Sequence, residues 1–188
     1  ILGVMDGDKA AGDARATRIG EEFIAMRGKT QPRYYTVDEG IRAALAVEGM
    51  PVVMADPADN AGGGAPSDNT TILRRLIERG VDNAALGPIW DPIAVRLCFD
   101  AGPNGRLALR FGGKIGPTSG QPVDAQVTVI GLARDAWQSF GPTRVPLGDC
   151  AAIRVNGVEV VLIANRTQAL GLELFRNVGI EPTAKKLV

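Results

Sequence analysis

The stretch PVVMADPADNAGGGAPSDNTTILRRL, residues 51–76, organises this chain. An apolar run over residues 52–55 ends at Asp56, a polar loop with three consecutive glycines follows, and a helical pattern begins near Thr70. This order predicts a strand, a glycine loop and the N-terminus of a helix. Ligand sites in α/β proteins lie at such places, at the carboxyl ends of strands. We therefore expect all or part of a functional site in this loop.

The composition argues against a nucleic-acid-binding, a membrane-spanning or a disulfide-rich protein. The chain has 188 residues, of which 45% are hydrophobic, and its 21 basic and 21 acidic side chains give a formal net charge of zero. The balanced charge argues against a nucleic-acid partner, and no apolar run reaches membrane-spanning length or forms a signal peptide. Cys98 and Cys150 do not indicate a disulfide framework, and Cys98 is expected to be buried. A reducing, cytoplasmic location is the expectation.

The chain contains no histidine. This absence removes the usual general base and the commonest metal ligand. It also leaves Cys150 without a histidine to activate it, so we do not predict a cysteine nucleophile. A site built from this chain alone would depend on carboxylates, backbone amides, Lys, Arg or Cys. Because strand-like segments lie at both ends and the first residue is not Met, we expect a piece of a longer protein.

Outward from the central stretch, strands and helices alternate. The predicted helices cover residues 9–27, 36–47, 70–79, 91–101 and 167–178, and the predicted strands cover residues 1–5, 52–55, 83–89, 106–111 and 185–188. Alternation of this kind favours an α/β fold with a mostly parallel sheet flanked by helices and joined by right-handed crossovers.

A different pattern occupies residues 113–164. A loop rich in glycine and proline leads into an alternating strand at 124–133. Two further strand patterns, 151–155 and 158–163, flank Asn156-Gly157, which is typical of a two-residue hairpin turn. We therefore predict one α/β domain over residues 1–188, with its core in 1–112 and 165–188 and an inserted antiparallel β section at about 113–164.

The central loop admits two kinds of chemistry. Gly62, Gly63 and Gly64 allow backbone amides to approach a ligand, and the helix N-terminus beyond them favours an anion. Asp56 and Asp59 instead indicate a cation or a general acid or base. The glycine spacing matches neither a Walker A loop nor a dinucleotide fingerprint.

Structural roles compete with functional ones for several polar residues. Asp68 is favoured as the N-cap of the following helix, and Asp56 could begin a turn before a proline. Asn60 lies beside the glycine triplet, where a polar residue calls for a functional reason. Lys114, after two glycines, could face an anionic ligand, although a solvated lysine in a turn is favoured. Arg166, after the last hairpin strand, is a weaker candidate.

Asp56-Pro-Ala-Asp59-Asn60-Ala-Gly62-Gly63-Gly64-Ala-Pro66-Ser-Asp68 resembles the signature D-x-x-D-N-x-G-G-G-x-P-x-D of the microcystinase C (MlrC) family. Asp91-Pro92 with Val95, Ala101-Gly102, Gly112-Gly113-Lys114 and Gly179-Ile180 also look like that family. The resemblance therefore extends over most of the chain and is to the family's C-terminal domain.

The resemblance implies a zinc-dependent metallopeptidase, whose founding activity is cleavage of linearised microcystin peptides. Histidine and acidic metal ligands are supplied by an N-terminal domain, so this chain would face the metal across a domain interface and bind a small peptide or amide. Zinc would be held mainly outside this chain, which alone should be inactive. The expected catalytic residues are Asp56 and Asp59, with Asp59 also a metal-ligand candidate, and the expected substrate-binding residues are Asn60, Gly62, Gly63, Gly64, Asp68 and Lys114.

Two alternatives remain open on the residues alone. The glycine loop could serve a non-catalytic module that binds a small anion. The antiparallel section could instead pack on a second copy of the chain, which would make this a dimerisation domain.

Overall fold

The computed structural model describes all residues from 1 to 188, which divide into two compact units, residues 1–35 and 36–188. The first unit contains one helix, α1 (Lys9–Ala25). The Asp8 side chain begins α1 by accepting a hydrogen bond from the backbone N–H of Ala11 at 2.9 Å. Residues 1–5 form no strand, so the strand predicted there is wrong. Residues 1–5 lack a neighbouring strand in the unit, because its only regular element is α1.

The second unit combines four helices with five strands. Two of the predicted helices begin at local signals: Thr36 and Glu39 form a capping box, and Asp91 caps a helix whose first residue is Pro92. The elements are α2 (Val37–Ala46), α3 (Thr71–Glu78), β1 (Ala84–Trp90), α4 (Pro92–Ala101), β2 (Arg106–Phe111), β3 (Val123–Phe140), β4 (Thr143–Val155), β5 (Val158–Ile163) and α5 (Glu173–Arg176).

The five strands form one mixed sheet in the order β1-β5-β4-β3-β2. Only β1 and β5 pair in parallel, and the other three pairs are antiparallel. The predicted mixture of α-helices and β-strands is confirmed, but the prediction of a mostly parallel sheet is wrong. Although β1, α4 and β2 follow one another in the chain, β1 and β2 lie at opposite edges of the sheet. Alternation along a sequence does not specify which strands become neighbours.

The antiparallel part of the sheet is larger than the sequence predicted. It begins with β2 at Arg106 instead of residue 113, and β3 and β4 continue as a long hairpin through 134–150, where no strand was predicted. Shifts in register between Ala133 and Trp137 break the alternating pattern there. The hairpin around Asn156-Gly157 is confirmed, with Val155 opposite Val158.

Two other predicted elements are reduced in the structure. Residues 52–55 form only an isolated parallel bridge, Val52 to Leu187, and the side chain of Val53 is 72% exposed, so a central buried strand there is wrong. The predicted helix at 167–178 is confined to Glu173–Arg176. A buried glutamine on β3, Gln138, accepts hydrogen bonds from the backbone N–H groups of residues 170 and 171, which holds this segment in a non-helical path.

The helices cover both faces of the sheet. Buried side chains of α2, α3 and α4 pack on one face, and those of α5 pack on the other. Cys98 and Cys150 are both free and buried, as predicted for Cys98. Burial, aided by the nearby Asp91 carboxylate, raises the pKa of the Cys98 thiol to about 11. No helix in the chain has the combination of length and apolar character needed to cross a membrane.

Candidate functional site

The central loop begins with an exposed carboxylate. Asp56 accepts one hydrogen bond, from the backbone N–H of Ala58 at 2.9 Å, through its Oδ1 atom. This is the turn that its position before Pro57 predicted. The Asp56 side chain remains exposed at the surface, where it can contact a ligand.

Asp59 holds the loop closed. Its Oδ1 atom accepts from the backbone N–H of Ser67 at 2.9 Å and its Oδ2 atom from that of Asn69 at 2.7 Å. The Ser67 hydroxyl donates back to the Asp59 carbonyl at 3.1 Å. Ser67 has φ of 62°, a conformation that a non-glycine residue adopts only with support. Asp59 therefore positions the chain that enters α3, and both of its carboxylate oxygens are engaged.

The glycine triplet forms a single 3-10 turn over residues 61–63. The amide of Gly62 donates to the Asn60 side chain at 2.8 Å, that of Gly63 to the Asn60 carbonyl at 2.9 Å, and that of Gly64 to the Ala61 carbonyl at 3.0 Å. All three amides are thus bonded within the loop, and an anion could reach them only by opening these bonds.

The structure gives a steric explanation for glycine at two of the three positions. A Cβ atom at Gly62 would lie 2.3 Å from Oε1 of Gln168, so the end of that flexible side chain would have to shift to admit it. Gly64 has φ of 91°, in the left-handed region that favours glycine. A Cβ at Gly63 would meet nothing within 4 Å. In the triplet, therefore, Gly62 lies against the Gln168 side chain, Gly63 is unconstrained, and Gly64 is required for its backbone conformation.

Asp68 anchors a second loop. It is 1% exposed, and its Oδ2 atom accepts from the backbone N–H groups of Lys114 at 2.7 Å and Ile115 at 3.0 Å. Its carbonyl accepts from the amide of Gly113 at 2.7 Å. The N-cap of α3 is Thr70, so the favoured prediction of Asp68 as a helix cap is wrong. The chain passes along loop 112–122 before the helix begins, which places the carboxylate against that loop.

Lys114 is paired with a buried carboxylate. Its Nζ atom lies 2.7 Å from Oδ2 of Asp91, which is 4% exposed. The same Asp91 caps α4 through the amide of Ala94 at 3.0 Å and accepts from the amide of Gly112 at 3.0 Å. Lys114 is exposed, as expected of a solvated lysine, but its ammonium group also pairs with Asp91, which β1, α4 and β2 bring to it.

A cleft of about 710 Å³ lies beside the loop, between it, β1 and residues 168–172. Most of its lining is apolar, and its polar side chains are Asp56, Asp59, Asn60, Ser67, Asn69, Gln168 and Thr183.

Sequence reasoning missed the wall of this cleft at 168–172, which it had predicted to be helical. Gln138, fully buried on β3, fixes this wall by donating to the Gln168 carbonyl at 2.7 Å and accepting from the amides of Leu170 and Gly171. Because no strand was predicted at 134–150, no signal in the sequence indicated this contact.

Arg166 is the weaker candidate that the fold brings beside the loop. Its Nη1 atom lies 3.5 Å from the carbonyl of Ala65, and its guanidinium carbon lies 6.0 Å from the centre of the Trp90 ring. The indole N–H of Trp90 donates to the Ala164 carbonyl at 2.9 Å. Arg166 thus places a basic side chain beside the C-terminal end of the loop, whereas Asp56 lies at its N-terminal end.

The residues of this chain do not fit a complete zinc site. No group of three or more His, Cys, Asp or Glu side chains is arranged to hold a metal ion. Structural and catalytic zinc sites use three or four such ligands. Asp59 uses both carboxylate oxygens on backbone amides, and Asp91 uses its oxygens on amides and Lys114.

Comparisons with known proteins agree with one another. The model of the family described as MlrC C-terminus matches residues 54–188. Microcystinase C from Sphingomonas sp. is 35% identical over 192 aligned residues, which cover 100% of this chain and 38% of that protein. A crystal structure from Mesorhizobium sp. BNC1, described as a "Putative metallopeptidase", superposes with a TM-score of 0.84 at 22% identity and covers 97% of this chain and 37% of that one. At that identity the superposition shows a shared fold.

Proposed function

This chain belongs to the MlrC C-terminus family, and we propose that it is the C-terminal domain of a peptidase or amidohydrolase. In this proposal it supplies one wall of an active site that another domain of the same polypeptide completes. The match to Microcystinase C, which spans 38% of that protein, supports a division of this kind. Clefts between domains are favoured places for ligand sites.

The observation that carries the proposal is an exposed carboxylate at a preformed apolar cleft. Asp59 and Asp68 are held by backbone amides and keep their loops in place. Asp56 lines the same cleft with its carboxylate exposed. We propose that Asp56 contacts the substrate, as a general base or as the partner of a substrate N–H group, and that Asp59 is a positioning residue.

A small peptide or amide fits the lining of the cleft. The apolar walls would accept an apolar side chain of the substrate. The side-chain NH₂ group of Asn60 would donate to a substrate carbonyl, since the side-chain oxygen Oδ1 of Asn60 already accepts from the amide of Gly62. Asp68 and Lys114, which the sequence indicated as substrate-binding, would instead support the site from behind the loop. The engaged amides of the glycine triplet weigh against a simple anion-binding module.

Any zinc of the complete protein would be held mainly by ligands outside this chain. That follows from the lack of three suitable side chains in one place. We also propose a reducing, cytoplasmic setting, which the two free cysteines support.

The test is Asp56→Asn in the full-length polypeptide, with linearised microcystin and short peptide amides as substrates. Asn keeps the turn bond to Ala58, so the circular dichroism spectrum and melting temperature should not change. We expect kcat/KM to fall at least about 100-fold if Asp56 acts on the proton or the substrate N–H. Asp100→Asn, an exposed carboxylate on α4, is the matched control and should leave turnover unchanged.

Turnover by Asp56→Asn equal to that of the unaltered protein would overturn the assignment of Asp56. Metal-dependent hydrolysis by the 188-residue chain alone would overturn the shared site. Loss of turnover together with a lowered melting temperature would mean that Asp56 acts through the fold, and would also contradict the proposal.

A further inference from the structure

Helix α1 carries a regular stripe of apolar and small residues. The intervals between its members alternate between four and three residues, which is the spacing of the seam between two packed helices. The stripe consists of Gly12, Ala16, Ile19, Phe23 and the C-cap residue Met26.

Only the first part of this stripe is covered within the unit. Gly12 is the one buried residue of α1, and a Cβ atom placed on it would lie 3.0 Å from Cγ of Met5. Toward the other end the stripe is open, since the side chain of Phe23 is 63% exposed and that of Met26 is 39% exposed. A depression of about 540 Å³ lies against these two residues.

Charged side chains flank the stripe on both sides. Two ion pairs at a spacing of four residues lie there, Lys9 with Asp13 on one flank and Arg18 with Glu22 on the other. Thr17 and Glu21 lie opposite the stripe, because 100° per residue places them about 140° and 180° from Gly12. Exposed large apolar side chains grouped along one stripe of a helix mark a surface that contacts another part of a protein. In this unit no second helix is present to cover it.

We propose that the stripe from Gly12 to Met26 docks on a helix of the domain that precedes this chain in the full-length polypeptide. The family model begins at residue 54, whereas similarity to Microcystinase C extends over all of this chain. Residues 1–53 are therefore shared with that relative but lie outside the C-terminal family domain. Since that domain is described as a C-terminus, the rest of the relative lies before it, and α1 is the first helix on that side of the chain. The proposal rests on the proposed function only for the existence of that preceding domain.

Trypsin digestion of the full-length polypeptide tests the docking. Helix α1 and the following turn contain cleavage sites at Lys9, Arg15, Arg18, Arg27 and Lys29. A docked helix should resist cleavage there, and Phe23→Asp should raise the cleavage rate at least tenfold by exposing the seam. Thr17→Asp, which places the same charge on the side opposite the stripe, is the matched control and should cleave like the unaltered protein. Phe23→Leu should restore resistance.

In the 188-residue chain alone α1 should be cleaved rapidly, and Phe23→Asp should make no difference, since Phe23 has no partner there. Equal rates of cleavage for the unaltered full-length protein and Phe23→Asp would overturn the proposal. Resistance in the 188-residue chain that increases with concentration, together with a doubled mass in solution, would assign the stripe to a second copy instead. Because the inactive Asp56→Asn variant should keep its resistance to trypsin, this result and that for the proposed function can fail separately.

Discussion

Replacing Asp59 by alanine tests whether this carboxylate is a brace of the site. The change removes the acceptors of two backbone N–H groups, those of Ser67 and Asn69, at 2.9 and 2.7 Å. A hydrogen bond to a charged group contributes about 1.5–3 kcal/mol. Asp59 is half-buried, so water replaces part of each bond and we take the lower value for both. The expected loss of unfolding free energy is about 3 kcal/mol.

This loss should appear in global unfolding because the braced segment leads into the core. Thr70 and Leu73, directly after it, are fully buried. With an m-value of about 2 kcal/mol/M for urea, the midpoint of unfolding should fall by about 1.5 M at pH 7. Hydrogen exchange should quicken at the amides of Ser67 and Asn69. Asp59→Asn keeps one acceptor and should lose about half as much.

Asp56→Ala is the control for the removal of a carboxylate from the same loop. It removes a single hydrogen bond, to Ala58, at an exposed position, and should cost about 0.5–1 kcal/mol. Equal urea midpoints for the Asp56 and Asp59 alanine variants, with unchanged exchange at Ser67 and Asn69, would refute the bracing role. That outcome would return Asp59 to the group of residues available for direct chemistry.

Two further predictions concern the loop glycines and acid stability. Gly64→Ala should lower the free energy of unfolding by about 1 kcal/mol, because its φ of 91° is strained for a residue with a Cβ atom, whereas Gly63→Ala has open space and should change it by less than about 0.5 kcal/mol in the same urea assay. Hydrogen bonds from Arg75 and Arg79 lower the pKa of Asp38 from 3.8 to about 2. This lowered pKa contributes stability above about pH 4 that is lost as the pH falls toward 2, so urea midpoints of Asp38→Asn should lack that part of the acid dependence.

The features that the sequence predicted well have local causes. The helix starts near Thr36 and at Asp91-Pro92 depend on groups within four residues of one another. The turn at Asn156-Gly157 likewise requires only the positive φ of Asn156, at 51°, between two strands that follow directly. Such signals can be recognised without knowing the rest of the fold.

The features that could not be predicted depend on distant parts of the chain. Strand β1 pairs in parallel with β5, although β2 is the next strand in sequence. The helical pattern over 167–178 is overridden by Gln138, which lies 32 residues before Leu170 and accepts its amide. The loop and its motif indicated the residues of the candidate site, but the contacts of these residues depend on distant partners, as with Asp68 and Ile115, which lie 47 residues apart.

The Asp91-Pro92 and Gly112-Gly113-Lys114 segments outside the central loop have a common structural role. Asp91 begins α4, holds the amide of Gly112 and pairs with Lys114, so it joins the ends of β1 and β2. Asp68 holds the amides of Lys114 and Ile115 in the same loop, and Asp59 closes the central loop onto the start of α3. Three carboxylates thus serve as fixed acceptors of backbone N–H groups. Asp56 is the acidic residue of the cleft that this framework leaves exposed, which is why we place substrate contact there.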